Sequence, residues 1–336
     1  MRRPATIKDI ARELGISMVT VSRAIRDTHD VSKATRERVL AKARELNYQI
    51  NYNARGLKGQ KTNNIGVVIP HINSYYFSTV FTGIQRAAYE AGYNVVLFVT
   101  GDSFERELTI LNSISLSSID GLLVCTTGED PIEPFKNIIE MGKPVVFFDN
   151  IIDALPTSKV TQNNYDGAFM ATEHLIKKGY KKIAHLNANS NNIFTKNRLN
   201  GYLDALKKHD LPVHKDWIIY SDFSRQSGEE DIKNLWGKSL KPDAIFALND
   251  RKAVGAIMEL KRRKIKIGKD LGIIGFTNDP ISSIISPTLS TIEEPAMEIG
   301  ETSCSLLIKH IRKSNFIPEK IILDCKLIER ESTSRG

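Results

Sequence analysis

From residue 65 onward the chain alternates short apolar runs with longer amphipathic stretches, and this alternation restricts the fold more than any other feature. The runs at 65–70, 94–100, 121–126, 144–149, 182–187, 217–221, 243–248 and 272–277 read as strands. Helices are expected between them, for example over 75–91, 104–117, 165–178, 194–209 and 251–261. Strands that are apolar along their whole length and separated by helices belong to parallel sheets covered on both faces. Eight such strands exceed a sheet of ordinary width. The expected fold class is therefore α/β, with two doubly wound parallel sheets dividing near 160–164. Segments 289–293, 297–309 and 321–330 are expected to cross back between the lobes. A bilobed body of this kind takes a small molecule in the cleft at the carboxyl ends of its strands.

The first fifth of the chain has a different period. Thr6 can cap a helix whose apolar residues Ile7, Ile10, Ala11 and Leu14 recur at helical spacing, and Gly15 can end it in the left-handed conformation. Ser17 caps a second helix that turns Val21, Ala24 and Ile25 inward and Met18, Val19, Ser22, Arg23 and Arg26 outward. Ser32 caps a third, with Val39, Ala43 and Leu46 facing the same small core. Two short helices joined by so tight a turn form a helix-turn-helix, whose second helix enters a major groove by its N-terminal residues. Charge agrees. Residues 1–61 hold 14 Lys+Arg against 6 Asp+Glu, whereas residues 62–336 hold 33 of each. A basic patch is often only a solvated face, but here all the excess coincides with one motif.

Composition removes several classes. Hydrophobic content of 41% and charged content of 26% are those of an ordinary globular chain. The start MRRPATIKDIARE has no apolar core after its arginines, which is unlike a secretory signal. No apolar run approaches the ~20 residues of a membrane span. Cys125, Cys304 and Cys325 are expected to be buried free thiols of a reducing cytoplasm. No Cys/His spacing resembles a metal site, and no cofactor is expected.

Several residues just beyond strand ends suit a ligand cleft: Tyr75, Tyr76 and Phe77, Asp149, Asn249 and Asp250, and Thr277, Asn278 and Asp279. Arg198 lies on the helix opened by Phe194. Aromatic faces stack on sugar or base rings, while amides, carboxylates and one guanidinium satisfy hydroxyls. Each has a plainer reading. Strand-end Asp and Asn often only cap the next helix, Phe77 and Phe223 would serve as core, and Arg198 would pair with Asp204 or Asp250. Their concentration on one rim favours a ligand site.

On these residues the chain resembles the LacI/GalR family of bacterial transcription regulators over essentially its full length. TIKDIARELGISMVTVSRAI carries the headpiece pattern, NARGLK before IGVVIP the hinge, and TKNRLNGYLDAL, IFALNDRKAVGA and GIIGFTND the body. The resemblance implies a headpiece at 1–50, a hinge at 51–62, and an effector-binding body from 63 to 336 with an N-lobe (63–161, 292–322) and a C-lobe (162–291, 323–336). It implies a cytoplasmic homodimer, not an enzyme, that binds a near-palindromic operator under control of a cleft ligand. DNA contacts are assigned to Thr6, Ser17, Met18, Val19, Thr20, Ser22, Arg23 and Arg26 on the headpiece, and to Asn53, Ala54, Arg55, Leu57 and Lys58 on the hinge. Met18 and Val19 carry no donors, so they would read bases by apolar contact. Leu57 matches the leucine that wedges a minor-groove step. Ligand contacts fall at Tyr76, Phe77, Asn192, Phe194, Arg198, Phe223, Asn249 and Thr277, with Asp149 and Asp250 as weaker candidates. Thr277 stands where many members carry aspartate, and Ile50 where many carry proline. Gly56 inside the hinge helix costs on the order of 1 kcal/mol against alanine, so that helix is expected to form only on DNA.

The aromatic and amide content suits a neutral sugar first, then a phosphorylated sugar or a nucleobase. An exported sugar-binding protein would lack the headpiece. A dehydrogenase or kinase would want a glycine-rich loop after an early strand, where this chain has IPHINSYYF. An architectural DNA protein would not need so long a neutral body. The ending ESTSRG carries no leucine heptads, so a dimer is expected rather than a coiled-coil tetramer.

Overall fold

The computed structural model describes residues 5–25, 30–48, 61–128, 132–189, 192–313 and 315–335. They form two compact units, Met1–Thr62 and Asn63–Gly336.

The first unit is three helices, α1 (Ile7–Leu14), α2 (Met18–Ile25) and α3 (Lys33–Glu45). Ile10, Ala11, Val21, Ala24 and Val39 are buried between them, with Ile7, Leu14, Ile25, Ala43 and Leu46 packed around. So small a core relies on its caps. Asp9 Oδ2 accepts the Thr6 backbone N–H at 2.9 Å and its hydroxyl at 2.7 Å. Gly15 turns the chain at φ 65°, and the Ser17 hydroxyl accepts the Thr20 N–H at 3.0 Å.

The second unit has two lobes. In the first, a parallel sheet runs in the order β11-β5-β4-β3-β1-β2: Lys320–Leu323, Ser158–Gln162, Val145–Phe148, Gly121–Val124, Asn64–Ile69 and Asn94–Val99. Helices α4 (Tyr75–Glu90), α5 (Phe104–Ser113) and α6 (Ile132–Glu140) cover it. The second lobe has α7 (Asn164–Lys177), β6 (Ile183–Ala188), α8 (Ile193–Lys208), β7 (Ile218–Ser221), α9 (Arg225–Trp236), β8 (Ala244–Ala247), α10 (Asp250–Arg262), β9 (Gly272–Ile274) and the short α11 (Ile281–Ile284). Its parallel sheet runs β7-β6-β8-β9. The chain then forms β10 (Thr291–Glu293), returns to the first lobe as α12 (Ala296–Arg312), adds β11, and pairs β12 (Lys326–Ile328) antiparallel to β10. It thus passes between the lobes three times: after Gln162, at Glu294, and after Leu323.

The structure corrects several expectations. Strand β5 was not expected, because SKVTQ is too polar to read as a strand, whereas helices α6 and α9 fall between strands as the alternation requires. Strand β9 stops at Ile274 rather than 277, where the chain bends toward β10. Pairing places Gln162 and Leu323 in the first sheet, and sets Ile292 and Glu293 beside Thr277, slightly off the expected lobe limits. Cys125, Cys304 and Cys325 are buried free thiols. No helix among the described residues is long and apolar enough to cross a membrane.

Helices α4 and α12 pack backbone to backbone, and a Cβ at Gly300 would lie 2.1 Å from the Val80 carbonyl oxygen. Gly300→Ala should therefore overpack this contact and cost about 1–3 kcal/mol in urea unfolding of the body. An unchanged midpoint would show that the helices separate freely.

Candidate functional site

The cleft follows from topology. In two parallel sheets facing one another, the loops after the strands converge between the lobes. Here they enclose a cavity of about 770 Å3 lined by Tyr76, Phe77, Asp149, Asn192, Phe194, Arg198, Phe223, Asn249, Asp250, Thr277 and Asp279. Of the strand-end residues named from the sequence, Tyr75 is exposed and Asn278 bonds to Glu293, and neither lines it. His71, Asp102, Asn150, Arg225 and Glu294 also line it.

The floor is a hydrogen-bonded chain from one lobe to the other. The Tyr76 hydroxyl reaches Asp149 Oδ1 at 2.9 Å and Gln162 Oε1 at 2.8 Å. Gln162 Nε2 donates to Asp149 Oδ1 at 3.3 Å and to Glu294 Oε1 at 2.6 Å. Arg198 donates to the same Glu294 oxygen at 2.5 Å, to Asn164 Oδ1 at 2.8 Å and to the Leu248 carbonyl at 2.8 Å. The guanidinium lies 3.5 Å from the Phe276 ring centre. Arg198 therefore pairs with neither Asp204 nor Asp250, the partners its plainer reading supposed: Asp204 accepts from Tyr165, and Asp250 from Thr291 and the Asp279 N–H. Glu294 and Gln162 were missed because sequence alone does not place the crossing strands under the cleft. The only signal is the carboxylate pair of TIEEPA.

Other candidates divide between lining and support. Asn249 caps α10, accepting the Lys252 N–H at 2.8 Å, and donates to the Phe223 carbonyl at 3.2 Å. Both Asp250 oxygens are occupied, so it braces the loop after β9. The Phe194 and Phe223 rings, 5.9 Å apart, form an apolar wall. Asn150 donates across the rim to Asn192 at 3.2 Å. Asp149 (φ 58°) and Thr277 (φ 124°) hold left-handed backbone, a genuine outlier for a β-branched threonine. Thr277 is held there by its N–H bond to the Ile292 carbonyl at 2.6 Å.

Residues 6–51 match bacterial regulatory proteins of the lacI family, and residues 62–331 match the periplasmic binding proteins and sugar binding domain of the LacI family. The chain belongs to the LacI family of bacterial regulatory proteins. It is 30% identical over 310 residues to the HTH-type transcriptional repressor PurR of Vibrio parahaemolyticus, covering 92% of each chain. It is 32% identical to the ribose operon repressor of Haemophilus influenzae, covering 98% of each. The lac repressor dimer bound to operator and the anti-inducer ONPF superposes with a TM-score of 0.85 at 25% identity, covering 98% of this chain and 99% of that one. The chain is thus a DNA-binding transcriptional regulator, and these two relatives are transcriptional repressors rather than enzymes.

On the headpiece, Met18 and Val19 are more than half exposed at the start of α2, beside exposed Ser17. The Thr20 hydroxyl meets that of Ser17 at 2.8 Å, and Arg23 is 3.8 Å from Asp30. Thr6 is exposed at the start of α1, and Ser22 is half-buried on α2. Arg26 and the hinge residues Asn53, Ala54, Arg55, Leu57 and Lys58 lie outside the described residues.

Burial, then the neighbouring Glu294 carboxylate, pushes the Asp149 carboxyl up to about 6; burial pushes that of Asp250 to about 7. The folded chain then holds these protons more tightly than the unfolded chain. The resulting stability is complete below pH about 4 and is lost as pH rises through about 6 for Asp149 and about 7 for Asp250. Asp149→Asn keeps the Oδ1 acceptor and cannot titrate. Against the parent, it should remove a fall on the order of 2 kcal/mol between pH 4 and 6 in urea unfolding. Parallel pH profiles for the two proteins would refute the assignment.

Proposed function

We propose that the protein is a homodimeric, effector-controlled repressor of a near-palindromic operator, with a neutral polyhydroxyl ligand, a sugar, in the interlobe cleft. The lining of that cleft carries the reading. Even without Asp250, whose oxygens are occupied, its carboxyl groups Asp102, Asp149, Asp222, Asp279 and Glu294 outnumber its guanidiniums Arg198, Arg225 and Arg251, and Arg198 is already committed to Glu294. Such a lining accepts hydrogen bonds and opposes a phosphate, which places a phosphorylated sugar behind a neutral one. The Phe194–Phe223 wall offers the apolar face on which a sugar ring packs. The ribose operon repressor among the relatives agrees with that class.

The lobe limits read from the sequence, adjusted to the observed crossings, complete the proposal: headpiece, hinge at 51–62, and body from 63. Ligand binding changes the lobe angle, which sets whether the hinges fold and the headpieces dock on adjacent half-sites. Met18 and Val19 read thymine methyls, with Thr20, Ser22 and Arg23 on phosphates or base edges.

In a thermal-shift screen of sugars, sugar phosphates and nucleobases, a neutral sugar should raise the melting temperature. Phe223→Ala should abolish that shift while melting near the parent. It is a better control than Arg198→Ala, which would strand Glu294 in the floor. A response to phosphorylated compounds alone would overturn the ligand class. On the DNA side, Leu57→Ala should lose specific operator affinity yet keep most of its salt-dependent non-specific binding. Equal loss of both would remove hinge insertion from the mechanism.

A further inference from the structure

The charge of the body is polarised in a way its neutral total conceals. Segments 177–182, 207–217, 237–243 and 261–271 together carry 15 Lys+Arg and 4 Asp+Glu, while the remainder of 62–336 carries 18 and 29. All four precede strands of the second lobe's parallel sheet, so they lie at the end opposite the cleft. They form one surface. Ile183, Ala244 and Gly272 begin neighbouring strands in register. The Asp243 carboxylate accepts the backbone N–H groups of Lys181 at 3.1 Å and Lys182 at 2.8 Å. The Tyr180 hydroxyl donates to the Gly268 carbonyl at 2.7 Å, and Lys238 to that of Asp216 at 2.5 Å.

Two ordinary explanations account for only part of this charge. Cations in a last helical turn answer the helix dipole, which covers Lys177, Lys207, Lys208, Lys261 and Arg262. Ion pairs to Glu173, Glu229, Glu259 and Glu329 hold Lys177, Lys178, Lys208, Arg262 and Arg263. Lys181, Lys182, Lys264, Lys266 and Lys269 lie beyond the helix ends, and Lys215 opens a single 3-10 turn; all six are exposed, with no ion pair among the described residues.

We propose that this end of the second lobe is a second nucleic-acid surface, which holds the phosphate backbone of duplex DNA without reading sequence. Lysine is depleted at protein–protein interfaces, where aromatic anchors dominate, and is a normal phosphate contact. The only large hydrophobics strongly exposed on these segments are Val213 and Leu240. With no exposed aromatic platform, the surface suits a duplex rather than a single strand. The chain would then touch DNA at two places, and its body would help to retain it near a bound site.

The test uses the full chain with Met18→Glu/Val19→Glu, which sets repelling carboxylates on the exposed face of α2. Its affinity for a labelled 30-bp duplex of mixed sequence is measured between 50 and 200 mM salt, with and without Lys181→Gln/Lys182→Gln/Lys264→Gln/Lys266→Gln. The four substitutions should weaken binding at least about tenfold at 50 mM and flatten the slope of log affinity against log salt by up to about 3.6. A set that lowers the melting temperature is replaced by its two halves, each expected to remove about half the slope. Equal affinity and slope with the lysines present or absent would overturn the proposal. Tighter binding of labelled polyglutamate than of the duplex would also overturn it, pointing to an acidic protein instead.

Discussion

The buried pair Arg198–Glu294 is the interaction on which the body depends. Both side chains are almost fully enclosed, so each has lost its hydration and is stable only while the other remains. Their neighbours complete the compensation, with Asn164 and the Leu248 carbonyl on the guanidinium and Gln162 on the carboxylate. Arg198 belongs to a helix of the second lobe, Glu294 to the crossing strand, and Gln162 to the end of the first lobe's sheet. The pair therefore ties the crossings between the lobes to the cleft floor. A ligand that disturbs it meets both lobes at once, which is what a sensor of lobe angle requires.

The same network explains the chemistry of the cleft. Once Arg198 is spent on Glu294, the floor offers chiefly acceptors, and a carboxyl such as that of Asp149 is held against its own ionisation by burial and by a like charge nearby. Such a floor favours molecules that bring donors. Thr277, whose hydroxyl is a modest ligand group, stands beside Glu293 across an isolated bridge, with the Glu294 carboxylate next along the chain.

Much of the fold was legible because its signals are local. The period of Ile7, Ile10, Ala11 and Leu14, the caps at Thr6, Ser17 and Ser32, and end-to-end apolar strands such as IGVVI and VVFF are written within a few residues. The cleft lining was legible for a similar reason, since parallel strands put their following residues on one rim. What failed depended on distant partners. Strand β5 is polar in composition and pairs through backbone with β4 and β11, far apart in the chain. Asp250 reads as a ligand group beside Asn249, yet both its oxygens are claimed by residues 29 and 41 positions away. Glu294 and Gln162 are invisible as a pair because 132 residues separate them.

A double-mutant cycle on Arg198 and Glu294 tests the account most directly, with Arg198→Met, Glu294→Gln and the double variant compared by urea unfolding. Each single variant should lose about 3–5 kcal/mol, because the surviving charge is left unpaired, and the double variant should lose no more than either. Additive losses would contradict the account: the two residues would then act independently, and the floor would not be the joint between the lobes.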